Sequence, residues 1–194
     1  MQIHYWAEMY SENMKAACET RKTVVLAAMV LLLLLPLHGL AAKNVRKLTL
    51  RDIDGNKARL SDYQGRIIVL NFWATWCGPC KEELPRLSEM AGRYASEHVA
   101  FIFASIDEPK KLPAVRDYVT QQKVTLPVWV GASVDLLEQL SGRNVVPATL
   151  IIDGKGEIVR AINGEAREQD VSEAVDWLLK EMKGPRPSAQ VRRY

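Results

Sequence analysis

Reactive side chains are scarce in this sequence of 194 residues, which contains only three cysteines and three histidines. A disulfide-rich mini-protein would have an even set of about four to eight cysteines, so that class is excluded. Basic and acidic residues nearly balance, 26 against 23, and a net charge of +3 is too small to indicate a nucleic-acid partner. The composition, 48% hydrophobic and 25% charged, predicts one globular domain with appendages.

Residues 1–42 differ in character from the rest of the chain. The stretch 24–35 has no polar side chain, follows Arg21 and Lys22, and precedes small residues. A basic flank, an apolar stretch and small residues are the parts of an export signal. The run is shorter than the ~20 apolar residues of a membrane span and is followed by Pro36, so a cleaved signal and an uncleaved membrane anchor are both open interpretations. Either one places the following domain outside the cytoplasm.

Without that segment, the exported domain has two cysteines and one histidine, which are Cys77, Cys80 and His98. A zinc site needs about four cysteine or histidine ligands, and a Cys-His or Ser-His pair needs a histidine close to its nucleophile. His98 lies in a polar connection and is interpreted as a surface residue. We therefore predict no metal site, and the cysteine pair is nearly the only reactive chemistry available.

Strand and helix patterns alternate over residues 43–184, which predicts a mixed sheet with helices on its faces. A continuous apolar run over 67–72 is typical of a strand buried on both faces. The predicted elements are, in order, a hairpin turning at Asp54-Gly55, the strand 67–72, a helix over 81–96, a strand over 99–106, a helix over 113–122, a strand over 126–130, a helix over 134–140, a hairpin over 148–162 and a helix over 171–182. The basic, proline-containing residues 185–194 are interpreted as a disordered tail.

The segment Trp76-Cys77-Gly78-Pro79-Cys80 lies between the first buried strand and the first long helix. Cysteines separated by two residues at a helix start can close a disulfide within one turn, and the free N–H groups and helix dipole stabilise a thiolate at Cys77. A lowered pKa makes Cys77 nucleophilic, while the more shielded Cys80 can attack a mixed disulfide. Pro79 is tolerated in the first turn of a helix. A permanent structural disulfide is the alternative.

The run from Asn71 to Pro85, NFWATWCGPCKEELP, resembles the active-site segment of thioredoxin-fold proteins, and more closely that of the exported TlpA/ResA-like thiol-disulfide oxidoreductases. The resemblance covers roughly residues 45–182. It implies a thioredoxin-like α/β fold with a central mixed sheet, flanking helices and an N-terminal β-hairpin extension. It also implies an enzyme in the periplasm or on the outer face of a bacterial cytoplasmic membrane.

The resemblance also implies roles for single residues. Pro147 matches the family's cis-proline, whose loop, with Val146, faces the cysteines and binds a substrate strand. Glu83 matches an acidic residue that modulates cysteine pKa values in some relatives, although it could be only a favourable charge in the first helical turn. Asn71 stands where cytoplasmic thioredoxins have a buried aspartate, so that proton-transfer role is absent or falls to Glu83. Trp76 is expected to contact partner proteins.

The sequence therefore predicts an exported protein-disulfide reductase that needs no cofactor besides its redox-active disulfide. Cys77 would attack the disulfide of a client protein, Cys80 would resolve the mixed disulfide, and a membrane-bound thiol-disulfide electron donor would reduce the pair again. The dipeptide Gly78-Pro79 is that of thioredoxin and favours the reducing end of the potential range. The membrane itself is a further partner if the N-terminal segment is uncleaved.

Three alternatives stay open at this point. The first is a protein disulfide oxidase or isomerase, which differs from a reductase in potential rather than in residues. The second is a thiol peroxidase, which would have a Thr-x-x-Cys nucleophile, whereas Thr75 precedes Cys77 at a different spacing. The third is a binding module whose two thiolates hold a soft metal such as Cu(I).

Overall fold

The computed structural model describes residues 43–193, so the segment 1–42, predicted as an export signal or membrane anchor, lies outside the described residues. No helix within the described range is long and apolar enough to cross a membrane. The elements in chain order are β1 (Thr49–Asp52), β2 (Lys57–Arg59), β3 (Ile67–Trp73), α1 (Gly78–Arg93), β4 (Val99–Ser105), α2 (Leu112–Gln121), β5 (Val128–Val130), α3 (Val134–Ser141), β6 (Ala148–Ile152), β7 (Ile158–Asn163), α4 (Glu168–Leu179) and β8 (Gln190–Arg192). Short 3-10 turns cover Leu60–Tyr63 and Pro109–Lys111.

The strands form one mixed sheet in the order β2-β1-β5-β4-β3-β6-β7-β8. Strand β3 lies in the middle, parallel to β4 and antiparallel to β6, with Val69 opposite both Phe101 and Ile151. Every residue of β3 and β4 is buried, as the continuous apolar runs predict for central strands. Strands β1 and β2 form the predicted antiparallel hairpin. The thioredoxin-like fold with a mixed sheet and an N-terminal hairpin is therefore confirmed.

Two apolar layers cover the faces of the sheet. Alternate residues of a strand point to opposite faces, and in β3 Val69 and Trp73 enter one layer while Leu70 and Phe72 enter the other. The first layer includes buried side chains of α1, α2 and α4, and the second includes Leu137 of α3. Helix α1 is thereby held against the sheet directly after the end of β3, which places its N-terminus at the edge where the parallel strands end.

The C-terminal residues differ from the sequence prediction. The closing helix was expected to reach Met182 but ends at Leu179, and Met182 has a positive φ of 62°. The prediction of a disordered tail over 185–194 is wrong for the described part, because Gln190–Arg192 forms β8 parallel to β7. The buried Arg160 donates to the Ser188 carbonyl at 2.8 Å. The tail therefore pairs with the open edge of β7 and is bound by Arg160, neither of which its polar composition indicates.

Candidate active site

The cysteine pair lies at the N-terminus of α1, immediately beyond the loop that follows β3. Cys77 is the N-cap residue, and its Sγ accepts a hydrogen bond from the Cys80 backbone N–H at 3.2 Å. Gly78 and Pro79 form the first two helical positions, where a missing N–H costs no helical hydrogen bond. The two sulfurs form a disulfide. Cys77 is 5% exposed and Cys80 is fully buried, so an attacking sulfur from outside meets Cys77 first.

The loop before Cys77 is anchored by a buried carboxylate. Asp107, just beyond the end of β4, accepts hydrogen bonds from the Thr75 backbone N–H at 2.9 Å and from its hydroxyl at 2.7 Å. The Ser105 hydroxyl also donates to Asp107, at 2.8 Å. Asp107 was not predicted as a site residue. Its position after a buried parallel strand, at the edge where sites of α/β sheets form, was the available signal.

Glu83 is the second carboxylate near the pair, and it is completely buried. It lies in the second turn of α1, so the alternative interpretation as only a favourable charge in the first helical turn is wrong. Its Oε1 accepts from the Ala166 backbone N–H at 2.8 Å and its Oε2 from the Asn71 side-chain amide at 3.1 Å. Burial raises the pKa of Glu83 to about 7, and these two hydrogen bonds oppose that rise. The carboxyl group therefore changes protonation state near neutral pH.

Asn71 connects Glu83 to the middle of the sheet. Its amide nitrogen donates both to Glu83 and to the Thr149 hydroxyl, the latter at 2.9 Å, while its Oδ1 has no hydrogen-bond partner within residues 43–193. Residues three apart on a helix share a face, so the buried Glu83 and the buried Cys80 adjoin on α1. Asn71 and Glu83 therefore form a buried polar contact less than one helical turn along the chain from Cys80.

The loop before β6 lies on the same edge of the sheet. Phe72 pairs with Ala148, so Pro147 lies level with the end of β3, where the cysteine loop begins. The Val146–Pro147 peptide bond is cis, as the resemblance predicted. Val146 is half-buried, and its neighbour Pro147 accepts a hydrogen bond from the Gly164 N–H at 2.9 Å.

Two further predicted residues lie at the surface. Trp76, directly before Cys77, is 67% exposed and presents a large apolar surface beside the reactive sulfur. His98 is exposed in the connection before β4, as predicted. Within the described range, no group of three or more histidine, cysteine, aspartate or glutamate side chains is arranged to hold a metal ion.

A thioredoxin fold with a disulfide at the N-terminus of its first long helix and a cis-proline on the same edge defines the class of thioredoxin-fold thiol-disulfide oxidoreductases. Residues 41–161 match the AhpC/TSA family. The chain belongs to that family and is a thiol-disulfide oxidoreductase of the ResA type.

Curated relatives and solved structures agree with this assignment. The chain is 30% identical over 131 residues to the thiol-disulfide oxidoreductase ResA of Bacillus thuringiensis, covering 68% of this chain and 74% of the relative. It is 34% identical over 125 residues to ResA of Geobacillus kaustophilus, covering 63% and 68%. A thiol:disulfide interchange protein of Chlorobium tepidum superimposes with a TM-score of 0.61 at 25% identity, covering 71% and 97%. A DsbF homologue of Corynebacterium diphtheriae shares the fold with a TM-score of 0.62 at 24% identity, covering 70% and 87%.

Proposed function

We propose that this oxidoreductase is an exported protein-disulfide reductase in which Cys77 is the nucleophile and Cys80 the resolving thiol. The observation that carries the assignment of roles is the unequal exposure of the two cysteines, since Cys77 is 5% exposed and Cys80 is fully buried. Cys77 is also the residue at the N-cap, where the helix N-terminus stabilises a thiolate. The apolar stretch 24–35 with its basic flank supports export.

The reaction transfers two electrons to a client in two exchange steps. The Cys77 thiolate attacks one sulfur of the client disulfide, a mixed disulfide forms, and the other client sulfur leaves as a thiolate that takes a proton from solvent. The Cys80 thiol then gives its proton to the Glu83 carboxylate and attacks the Cys77 sulfur. The Cys77–Cys80 disulfide forms and the second client thiolate leaves. A membrane-bound thiol-disulfide electron donor reduces the pair again.

Glu83 fits the proton-transfer step because its pKa of about 7 lies near the operating pH. A carboxyl with this pKa is partly ionised at neutral pH, so it can accept the Cys80 proton and later lose it. Asn71 and the Ala166 N–H hold its two oxygens in place through the exchange. Gly78 and Pro79, in the first helical turn, tune the reduction potential of the cysteine pair.

Client binding is assigned to the edge of the sheet around Cys77. Trp76 offers an exposed apolar surface, and the loop of Val146 and cis-Pro147 lies opposite the end of β3. An extended client segment can lie between them, with its backbone hydrogen-bonded to the loop as in strand addition. The disulfide to be reduced then faces Cys77.

The test is the equilibrium reduction potential of the purified protein in glutathione or dithiothreitol mixtures, with Cys77→Ser and Cys80→Ser as controls. A reductase is expected to have a reduction potential close to the thioredoxin value of about −270 mV. A potential well above about −180 mV would assign the protein to the oxidases or isomerases instead. Catalysed insulin reduction should be lost in Cys77→Ser.

The same preparation distinguishes the remaining functions. Peroxide consumption coupled to a dithiol donor would indicate a thiol peroxidase, although the Thr75 hydroxyl is bound to Asp107 rather than directed to Cys77. Stoichiometric Cu(I) binding that requires both cysteines, without insulin reduction, would indicate the metal-binding module.

A further inference from the structure

The C-terminal strap, defined as residues 188–193, forms a charged contact with the start of α4. The Arg193 guanidinium binds the Asp170 carboxylate with two nitrogens, Nε donating to Oδ2 at 2.9 Å and Nη2 to Oδ1. Such bidentate pairs fix geometry as well as charge. Asp170 is buried, and the hydrogen bond from Arg193 lowers its pKa. This pair lies outside the cysteine site, and neither residue exchanges a proton or a sulfur in the steps described above.

From Asp170 the contact continues to Glu83 through one short loop. The Asp170 Oδ2 also accepts from the Arg167 backbone N–H at 3.1 Å, and the Asp170 N–H donates to the Arg167 carbonyl at 2.9 Å. The next residue toward the N-terminus, Ala166, donates its N–H to Glu83 at 2.8 Å. Asp170, which is bound by Arg193, therefore fixes the backbone at residues 166–167, and this backbone donates the hydrogen bond to Glu83.

The strap also contacts the other end of this loop, at Gly164. Gly164 has a φ of +96°, and a Cβ on it would come within 1.5 Å of the Arg193 carbonyl oxygen. The Arg193 N–H donates to the Asn163 carbonyl at 2.8 Å, and the Gly164 N–H donates to the carbonyl of cis-Pro147. The loop 164–166 therefore contacts the strap at one end, and its N–H groups bond both Pro147 and Glu83.

We propose that Arg193 and Asp170 are positioning residues for disulfide exchange, because the strap fixes the loop 164–166 and thereby holds the Glu83 carboxylate beside Cys80. This inference rests on the proposed function, in which Glu83 accepts the Cys80 proton. Glu83 accepts hydrogen bonds from Asn71 of β3 and from the Ala166 N–H, and Cys80 lies three residues before it on the same face of α1. The charges of Arg86 and Glu165 act on it from nearby.

The experiment is a pH titration of thiolate absorbance in the full chain with Cys18 and Cys77 both replaced by serine, so that Cys80 is the remaining cysteine. A neighbouring carboxylate raises the pKa of a thiol, so Glu83→Gln is expected to lower the Cys80 midpoint. Arg193→Ala and Asp170→Asn are expected to shift it in the same direction by at least about half a pH unit. Arg193→Lys keeps the cation, so its Cys80 midpoint should lie close to that of the parent chain.

Arg192→Ala is the matched control, since it removes the neighbouring arginine of the same strand, which is exposed and not bound to Asp170. Its midpoint should equal that of the parent. If Arg193→Ala lowers the thermal unfolding temperature and leaves the midpoint unchanged while Glu83→Gln shifts it, the strap is only structural and the inference is overturned. If Glu83→Gln leaves the midpoint unchanged, the proposed proton transfer fails, and the inference fails with it. Arg193→Lys and Asp170→Asn keep the test available if Arg193→Ala does not fold.

Discussion

Two buried carboxylates, Glu83 and Asp170, lie at the two ends of the same network and differ in the charge of their partners. Asp170 is held by the Arg193 guanidinium, and its pKa is lowered. Glu83 is held by neutral amide groups, and burial raises its pKa to about 7. The nearby cation Arg86 is bound to Glu165, so its charge is compensated. A charged partner makes a buried carboxylate a structural anion, whereas neutral partners leave it able to exchange a proton.

The largest expected effect on stability comes from substituting Asp170, the structural carboxylate. Asp170→Ala removes the partner of Arg193 and the acceptor of the Arg167 N–H together. We expect it to lower the free energy of unfolding by about 3 kcal/mol at neutral pH, because a buried charge partner and a helix cap are both lost. Urea denaturation of the oxidised protein measures this. A loss no larger than that of the exposed control Lys183→Ala would show that the pair contributes little.

Removing the charge of Glu83 is expected to affect stability in the opposite direction from removing that of Asp170. Its folded pKa lies above the ordinary value of 4.5, so the folded state binds more protons, and stability is lost as pH rises from about 4.5 to about 7. Glu83→Gln has no charge to bury and should be more stable than the wild type by about 1–3 kcal/mol at pH 8, with a smaller difference at pH 5. Denaturation curves at the two pH values test this. A constant difference between them would refute the assigned titration.

Asn71→Asp sharpens the comparison by giving Glu83 a carboxylate in place of an amide donor. Two buried carboxyl groups in contact cannot both ionise cheaply, so the pair should titrate with one further raised macroscopic pKa. We expect stability to fall between pH 5 and pH 8 by about 1–2 kcal/mol more than in the wild type. Asn71→Leu, which removes the donor without adding charge, is the control. Equal pH slopes in the two variants would count against direct coupling of residue 71 to Glu83.

Local patterns were sufficient for some of these features and insufficient for others. The apolar run of β3 and the cysteine spacing at a helix start indicated the centre of the sheet and the reactive pair, because both signals lie within a few neighbouring residues. The cis form of Pro147 came from the family resemblance. Burial of Glu83 was available from its helical spacing to Cys80 and Leu87 but was not deduced.

The remaining features depend on partners far away along the chain. Thr75 and Asp107 are 32 residues apart, and Asp170 and Arg193 are 23 apart. A hydrogen bond at such separation has no sequence period, so no pattern predicts it. Strand β8 has three residues with exposed ends and forms because the edge of β7 is there to pair with it. Its amino acids alone indicate a solvated tail.

The unequal burial of Cys77 and Cys80 gives the proposed mechanism a practical consequence for finding client proteins. In the proposed mechanism a client attacks or is attacked at Cys77, because Cys80 is fully buried, so each turnover passes through one covalent complex whose release depends on Cys80. In a chain with Cys80→Ser the attacking sulfur is intact and the release step is missing. Proteins bound to such a chain through a reducible bond are then its clients, and mass spectrometry of that covalent fraction identifies them.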